Sequence, residues 1–301
     1  MNREPTWLSE YKRNVYSQTG EDGVIEKILE ILPQNDKWCV EFGAWDGMFC
    51  TNTRHLIESR GFSSVLIELS KKRFIDLQRN YAHLNNVYTI NRFVGFTPAD
   101  NLDTILKNTP IPIDFDFLSI DIDGNDYHVW KAFSEYRPKV VVVEFNSTFP
   151  SHVEFIQPAD PSVVQGSSLR AFVNLAKEKG YELVCVLSFN AFFVRKEYFP
   201  LFDINNNTPE VLQTDLSGIT YLSSGYDGQI FLSGSCLLPW HDTPIRATKL
   251  QYLPKCLRRF PGDYSFARKI LFALWLLKDD PSRLLKETRT RFGRLFARNN
   301  P

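Results

Sequence analysis

The 301 residues carry 35 Lys and Arg against 35 Asp and Glu, with 43% hydrophobic residues, a composition that suits a soluble globular chain with ample material for a core. Five scattered cysteines, Cys39, Cys50, Cys185, Cys236 and Cys256, form no CxxC pair; a disulfide scaffold and a thiolate zinc site are disfavoured, and a reduced, cytoplasmic setting is expected. The zero net charge conceals a polarity, because the residues from Arg246 onward hold 14 Lys/Arg against 4 Asp/Glu and those before it 21 against 31.

The opening MNREPTWLSEYKRN is charged and lacks an apolar h-region, so no secretory signal is expected. Tyr16–Asp22 (YSQTGED) precedes a helix whose Val24, Ile25, Ile28, Leu29 and Leu32 share one face. Thr19 with Asp22 reads as a variant capping box, and Pro33, Asn35 and Asp36 end the helix. A first strand over 38–42 leads into the turn GAWDG and a helix over 52–60. A second strand, 64–68, ends in Glu68; a helix over 71–81 and a third strand over 87–94 follow. A short helix at 98–108, a strand at 115–122, a helix at 126–136 and a strand at 139–145 continue the alternation. After a helix over 167–179, the runs 181–187 and 190–195 read as an antiparallel hairpin.

Strands alternating with helices predict an α/β fold: a Rossmann-like, doubly wound, mostly parallel sheet with an antiparallel C-terminal hairpin. Residues 205–208 and 222–228 read as loop, and a domain boundary is placed near 240, ahead of a basic helical extension over 241–301. No internal repeat is visible, and the longest apolar run of the extension, Ile270–Leu277, is too short to span a bilayer.

In a parallel sheet the C-terminal ends of the strands meet at one edge, where ligands bind at the topological switch point. That edge would gather Glu41, Gly43, Ala44, Asp46 and Gly47 from the first strand, Glu68 from the second, and Asn91 from the third. Asp121, Asp123 and Asp126 would follow from the fourth, with Glu144 and Asn146 from the fifth. GAWDG is not GxGxxG, and its acidic neighbours would repel a pyrophosphate. They suit a cofactor carrying a ribose and positive charge, such as the ammonium and sulfonium of S-adenosylmethionine, with Glu68 placed to accept from a ribose diol.

VEFGAWDG, the Thr51-Asn52-Thr53 that follows, the Ile67-Glu68 pair, FLSIDIDGNDYHVW and VVVVEFN together resemble FkbM-type S-adenosylmethionine-dependent methyltransferases, as do the leading SQTGEDG and the GYELV…NAFFVR hairpin. The resemblance spans about residues 14–200. It implies a methyltransferase sheet, O-methyl transfer, and a cofactor on Glu41, Gly43, Asp46, Gly47, Glu68 and Asp121. Ala44, Asn52 and Asn91 at the same edge, and Gln18 folding over the amino-acid end, complete the candidate cofactor set.

DIDGND fails as an EF-hand, since Gly124 falls at the fourth position and Ala132 replaces the twelfth-position glutamate. Oxygen donors from adjacent strands, Asp121, Asp123, Glu144 and Asn146, could instead hold Mg²⁺ and activate an acceptor hydroxyl. Without a metal, a base is required: His152, in the loop after the fifth strand, and His128, in the helix after DGND, are candidates beside Asp121. The resemblance, with Trp45, Phe149 and Tyr226 available to stack on a ring, points to a sugar or glycan hydroxyl as acceptor.

In the basic extension Phe266, Ile270, Leu274 and Leu277 fall at helical spacing, with Leu271 beside them. Intramolecular packing or homo-oligomerisation is the expected use of this face, ahead of peripheral contact with the inner face of a membrane. No motif supports nucleic-acid binding. Two rival readings are a nicotinamide-dependent sugar oxidoreductase, opposed by the acidic glycine turn, and a non-catalytic Rossmann-like scaffold, opposed by the polar strand ends.

Overall fold

The computed structural model describes residues 3–33 and 36–279. Asn35, expected to help end the first helix, and the basic stretch beyond Asp279 lie outside the described residues. The chain divides into two compact units, Met1–Leu216 and Ser217–Pro301, against a sequence expectation of a boundary near 240.

The first unit is built on seven strands: β1 (Trp38–Phe42), β2 (Ser63–Glu68), β3 (Val87–Asn91), β4 (Phe117–Ile120), β5 (Val140–Glu144), β6 (Tyr181–Val186) and β7 (Asn190–Arg195). Their order is β3-β2-β1-β4-β5-β7-β6. β1 to β5 pair in parallel, and β7 runs antiparallel to both β5 and β6. Seven helices accompany them: α1 (Glu21–Ile31), α2 (Arg54–Arg60), α3 (Lys71–Tyr81), α4 (Leu102–Leu106), α5 (Asp126–Ala132), α6 (Leu169–Glu178) and α7 (Pro209–Leu212). This is the expected doubly wound α/β fold.

Period-two alternation divides each strand between two apolar layers. Val40 and Phe42 of β1, with Val65, Ile67, Leu118, Ile120, Val141 and Val143, face the side carrying α4, α5 and α6, where Trp130 and Phe172 are buried. Cys39, Leu66, Phe117, Val140 and Val142 face the other side, against Val24, Ile25 and Ile28 of α1, Leu56 and Ile57 of α2, and Leu77 of α3. Helices on both faces explain why β5 reads as an unbroken apolar run, Val140–Val143. The strand order reverses between β1 and β4, which sets the switch point at their C-terminal ends.

At the opposite edge, Lys139 Nζ donates to Asp116 Oδ1 at 2.9 Å; both side chains are buried. The pair ties the chain entering β4 to the chain entering β5.

Several boundaries differ from the sequence expectation for local reasons. β4 stops at Ile120 because the Ile122 N–H turns to Asp126 Oδ1 (2.9 Å) instead of to a neighbouring strand. The Thr19–Asp22 capping box does not form. Gly20, at φ +106°, is the N-cap of α1 and has no side chain to offer. Asp22 Oδ2 instead accepts the N–H groups of Val15, Tyr16 and Ser17 at 2.7–2.8 Å. Glu21 Oε2 accepts those of Gln18 and Thr19. Two carboxylates in the first turn of α1, where the helix dipole favours them, thus fold the SQTGED segment on itself.

In the second unit, residues 222–228 are not all loop. β8 (Thr220–Ser224) and β9 (Ile230–Gly234) pair as a hairpin, turning through Gly225–Gly228. The Ser- and Gly-rich composition hides a strand–turn–strand pattern. A second short ladder joins β10 (Leu237–Leu238) to β11 (Thr243–Pro244), and α8 spans Phe266–Asp279. In the extension expected to be helical from 241, the α-helix begins only at Phe266, after Pro254 and Pro261.

Candidate active site

The turn after β1 is the tightest point of the strand-end edge. Gly43 has φ +74°, and a Cβ built there would lie 1.8 Å from the Asp121 carbonyl oxygen. Only glycine lets the end of β1 approach the end of β4 this closely. The Ala44 N–H bonds the Ile67 carbonyl (3.1 Å) and the Gly47 N–H bonds that of Ala44 (2.8 Å). Asp46 Oδ1 accepts from Met48 N and Phe49 N, an Asx-type turn that uses this carboxylate internally. Asn80 and Tyr81 of α3 hold the carbonyls of Asp46 and Gly47. Trp45, half exposed at φ +51°, lies under the Arg73 guanidinium at 4.1 Å.

Glu41, expected to face a cofactor, is buried and turned inward. It accepts from the hydroxyls of Thr51 and Thr53 and, at 2.9 Å, from the Asn52 N–H. Burial raises its carboxyl pKa and these hydrogen bonds oppose the rise. Asn52 is buried too, its Nδ2 donating to Ser119 Oγ of β4 at 3.0 Å. Both side chains therefore shape the floor of the edge: they fasten the loop after β1 to β4. Asn91 holds the carbonyls of Glu68 and Leu69 at 2.7 and 3.0 Å and so aims the end of β2. Glu68 accepts Trp45 N at 3.0 Å and Ser70 N at 2.6 Å, one bond per oxygen. Each oxygen retains a lone pair.

Asp121, Asp123 and Glu144 come together. Each offers an oxygen, and the three oxygens lie within 4.8 Å of one another. Burial raises the proton affinity of Asp121 and of Glu144, and the neighbouring carboxylates Asp126 and Asp123 raise both further. The interaction of the two side chains lowers Asp121 and raises Glu144, so Glu144 is the carboxyl of the pair that holds its proton longer. Asp126 is engaged elsewhere, since it is fully buried and accepts Ile122 N and Gly124 N at 2.9 Å, shaping the DIDG turn.

Asn146 is not brought into this cluster as a ligand. Its Oδ1 accepts from Thr148 N and Oγ1, and its Nδ2 donates to the Gln165 carbonyl, closing the loop after β5. Nor do the histidines join it. His128 Nε2 lies 2.8 Å from the Gln157 carbonyl, which makes that nitrogen the donor, and its ring packs on Phe96. His152 is exposed in the loop after β5. Of the three proposed catalytic groups, Asp121 alone stands in the carboxylate cluster.

Asn190 escaped the sequence reading. It is paired with Glu144 in the β5–β7 register, and its Nδ2 donates to Glu21 Oε1 at 2.9 Å while its buried Oδ1 has no hydrogen-bond partner among the described residues. This link sets the SQTGED segment, and Gln18 exposed upon it, over the end of β5. Cys50 lies close by, its thiol pKa raised by partial burial and by Glu21, Asp121 and Asp46. Of the ring-stacking candidates, Phe149 already stacks on Phe155 at 4.7 Å, and Tyr226 belongs to the second unit. A cleft of about 280 Å³ lined by Glu26, Glu30, Lys37 and Arg60 contains none of the strand-end residues.

An acidic edge at the switch point of a sheet ordered 3-2-1-4-5-7-6 is thus assembled. Residues 49–183 match the family model described as the methyltransferase FkbM domain. The match takes in 135 of the 301 residues, somewhat less than half of the chain. The match begins just after GAWDG, so the first-strand turn is placed by the fold and not by the family model. No curated protein matches the chain.

Among solved structures, the chain is similar to the magnesium protoporphyrin IX methyltransferase of Synechocystis with bound S-adenosylhomocysteine (9% identity, 58% of this chain and 81% of that one, TM-score 0.40). It is also similar to an S-adenosylmethionine-dependent methyltransferase of Aquifex aeolicus (11%, 64% and 97%, TM-score 0.36). A third is a candidate sarcosine dimethylglycine methyltransferase of Galdieria sulphuraria (14%, 53% and 59%, TM-score 0.35), of which the match spans less than two thirds. Among the described residues no helix is long and apolar enough to cross a membrane.

Proposed function

We propose that this chain is an FkbM-type methyltransferase that transfers the methyl group of S-adenosylmethionine to a hydroxyl of a sugar or glycan. The observation that carries the reading is the convergence of Glu68, Gly43 and Asp121 at the switch point, with Asp123 and Glu144 gathered beside Asp121. The donor set fits the cofactor. The remaining lone pairs of Glu68 can receive a ribose diol, and the surrounding carboxylates suit an ammonium and a sulfonium. Gln18 and the Asn190-anchored segment would close the amino-acid end. When bound, the cofactor supplies an electrophilic methyl group on sulfur.

The chain's own contribution is positioning and proton acceptance. A hydroxyl held at the Asp121–Glu144 pair meets a carboxylate whose proton affinity is raised toward that of a useful base. Orientation supplies the larger part of the rate for an in-line displacement. Asp121, Asp123 and Glu144 also fit a divalent cation such as Mg²⁺, being hard oxygen donors from adjacent strand ends; Asn146 does not. A cation there would grip vicinal hydroxyls and lower their pKa. The site's acidity continues to oppose a nicotinamide cofactor with its pyrophosphate.

The acceptor class is tested by incubating the protein with S-adenosylmethionine and a panel of free, nucleotide-linked and polymeric sugars, with EDTA or Mg²⁺, and mapping products by mass spectrometry. A mass gain of one methyl group on a sugar oxygen is the expected result. Methylation confined to amines or carbon acids in the same panel would overturn the O-methyl assignment.

A further inference from the structure

α8 places its apolar residues the wrong way round for a packed helix. Phe266, Ile270, Leu271, Leu274 and Leu277 are 80, 47, 48, 56 and 52% exposed, whereas Leu276 is buried. The residues that hold the helix in place lie on its other side. Phe272 and Trp275 stack, Phe272 meets the Tyr264 ring edge-on, and Trp275 meets that of Tyr252 at 5.2 Å. Arg268 is anchored on that side as well, its Nε donating to the Cys256 carbonyl. The outward stripe follows i, i+4, i+8 and i+11, and at 100° per residue Lys269 and Lys278 fall on its two borders. Both lysines are exposed.

We propose that α8 is a peripheral membrane anchor that lies in the interface of a bilayer rich in anionic lipid. An apolar stripe bordered by lysines is the arrangement an interfacial helix needs: the stripe enters the acyl boundary and the lysine stems reach back to the headgroup phosphates. Charge selects this occupant over a second copy of the chain. Pairing two copies through this stripe would bring the bordering lysines of both α8 helices to one interface, and the sequence from Arg246 onward carries 14 basic against 4 acidic residues. That excess is attracted to an anionic surface and repelled by itself. The 14 described residues of α8 are too few to span a bilayer, and the proposal is of a helix that lies on it.

The test is co-sedimentation of the full chain with phosphatidylcholine vesicles and with vesicles in which about a third of the lipid is phosphatidylglycerol. Binding to the anionic vesicles is expected, falling at least ~10-fold on neutral vesicles or at high salt. The variant Ile270→Glu/Leu274→Glu should lose binding by at least ~10-fold while its circular dichroism is unchanged, because both side chains are half exposed and leave no cavity. Should that variant unfold, Lys269→Glu/Lys278→Glu gives the same readout without touching the stripe. Failure to sediment with anionic vesicles, or undiminished binding by a folded variant, would overturn the proposal. So would lipid-free self-association, seen by light scattering, that Ile270→Glu/Leu274→Glu abolishes.

Discussion

Replacing Gly43 with alanine tests whether the turn after β1 presses on β4 as described. Two costs combine. An L-residue at φ +74° costs about 1–2 kcal/mol. The new methyl would sit 1.8 Å from the Asp121 carbonyl oxygen, against an ordinary C···O contact of about 3.3 Å. The two strand ends must therefore part by about 1.5 Å, for which overpacking costs of about 1–3 kcal/mol are typical. Because Phe42 is paired with Ile120 one residue before the clash, the displacement falls on the edge that carries Glu68 and Asp121.

Gly61 supplies the control: its φ is +69° and nothing lies within 4 Å of its would-be Cβ. Gly61→Ala should cost only the conformational part, about 1 kcal/mol. Urea titrations of both variants, with calorimetric titration of S-adenosylhomocysteine into each, would separate the effects. Gly43→Ala is expected to lose about 2–5 kcal/mol of stability and at least ~10-fold in cofactor affinity, a factor worth about 1.4 kcal/mol. Equal losses in stability for the two variants, with unchanged affinity in both, would refute the close approach of β1 to Asp121.

Three further predictions address other parts of the site. Asn190→Ala should raise the KM for S-adenosylmethionine several-fold with little change in kcat, by freeing the SQTGED segment from β7; Asn190→Asp, which sets a carboxylate against Glu21, should be worse, and equal kinetics in all three proteins would remove the segment from the site. Asp121 and Glu144 have raised proton affinities, so the metal-free folded chain binds more protons than the unfolded one once the pH exceeds the unfolded carboxylate range of about 4. The stability they lend is therefore complete below that pH and lost as pH rises toward their folded values, by at most about 1.4 kcal/mol per pH unit for each proton. Asp121→Asn should flatten this slope, as should Mg²⁺, in denaturant midpoints measured across neutral pH; a steepening slope would contradict the raised proton affinities. Asp116→Ala, which removes one of the carboxylates on Lys139 Nζ while Asp36 stays on it at 3.2 Å, should cost about 1–3 kcal/mol in urea unfolding and leave S-adenosylhomocysteine affinity unchanged, since that pair lies at the opposite sheet edge.

How far the sequence could be read depends on what each residue does. The strands were legible because burial on both faces leaves continuous apolar runs, as in Val140–Val143, and α3 was found over 71–81 with its boundaries correct. The carboxylates at the strand ends were legible as a group, since topology alone sends them to one edge. Their individual roles were not. Glu41, Asp46 and Asn52 look like ligand residues in sequence, yet Glu41 is spent on Thr51 and Thr53, Asp46 on Met48 and Phe49, and Asn52 on Ser119 of β4. Which way a short polar side chain turns is decided by contacts between strands that a linear pattern does not contain. Asn190 was missed for the same reason: 169 residues separate it from Glu21. In α8 the helical period was correct, but periodicity reports that a face is apolar and not whether anything covers it.

The most direct test of the account is calorimetric titration of S-adenosylhomocysteine into the purified full chain in EDTA, beside its Glu68→Gln variant. The amide side chain of that variant would retain one acceptor oxygen where Glu68 uses two, so a ribose diol competing for it should bind at least ~10-fold more weakly. Micromolar binding to the native protein, weakened in that variant while its thermal unfolding stays near native, is the predicted result. No binding to the native chain, with or without added Mg²⁺, would contradict the assignment of the strand-end edge as a cofactor site.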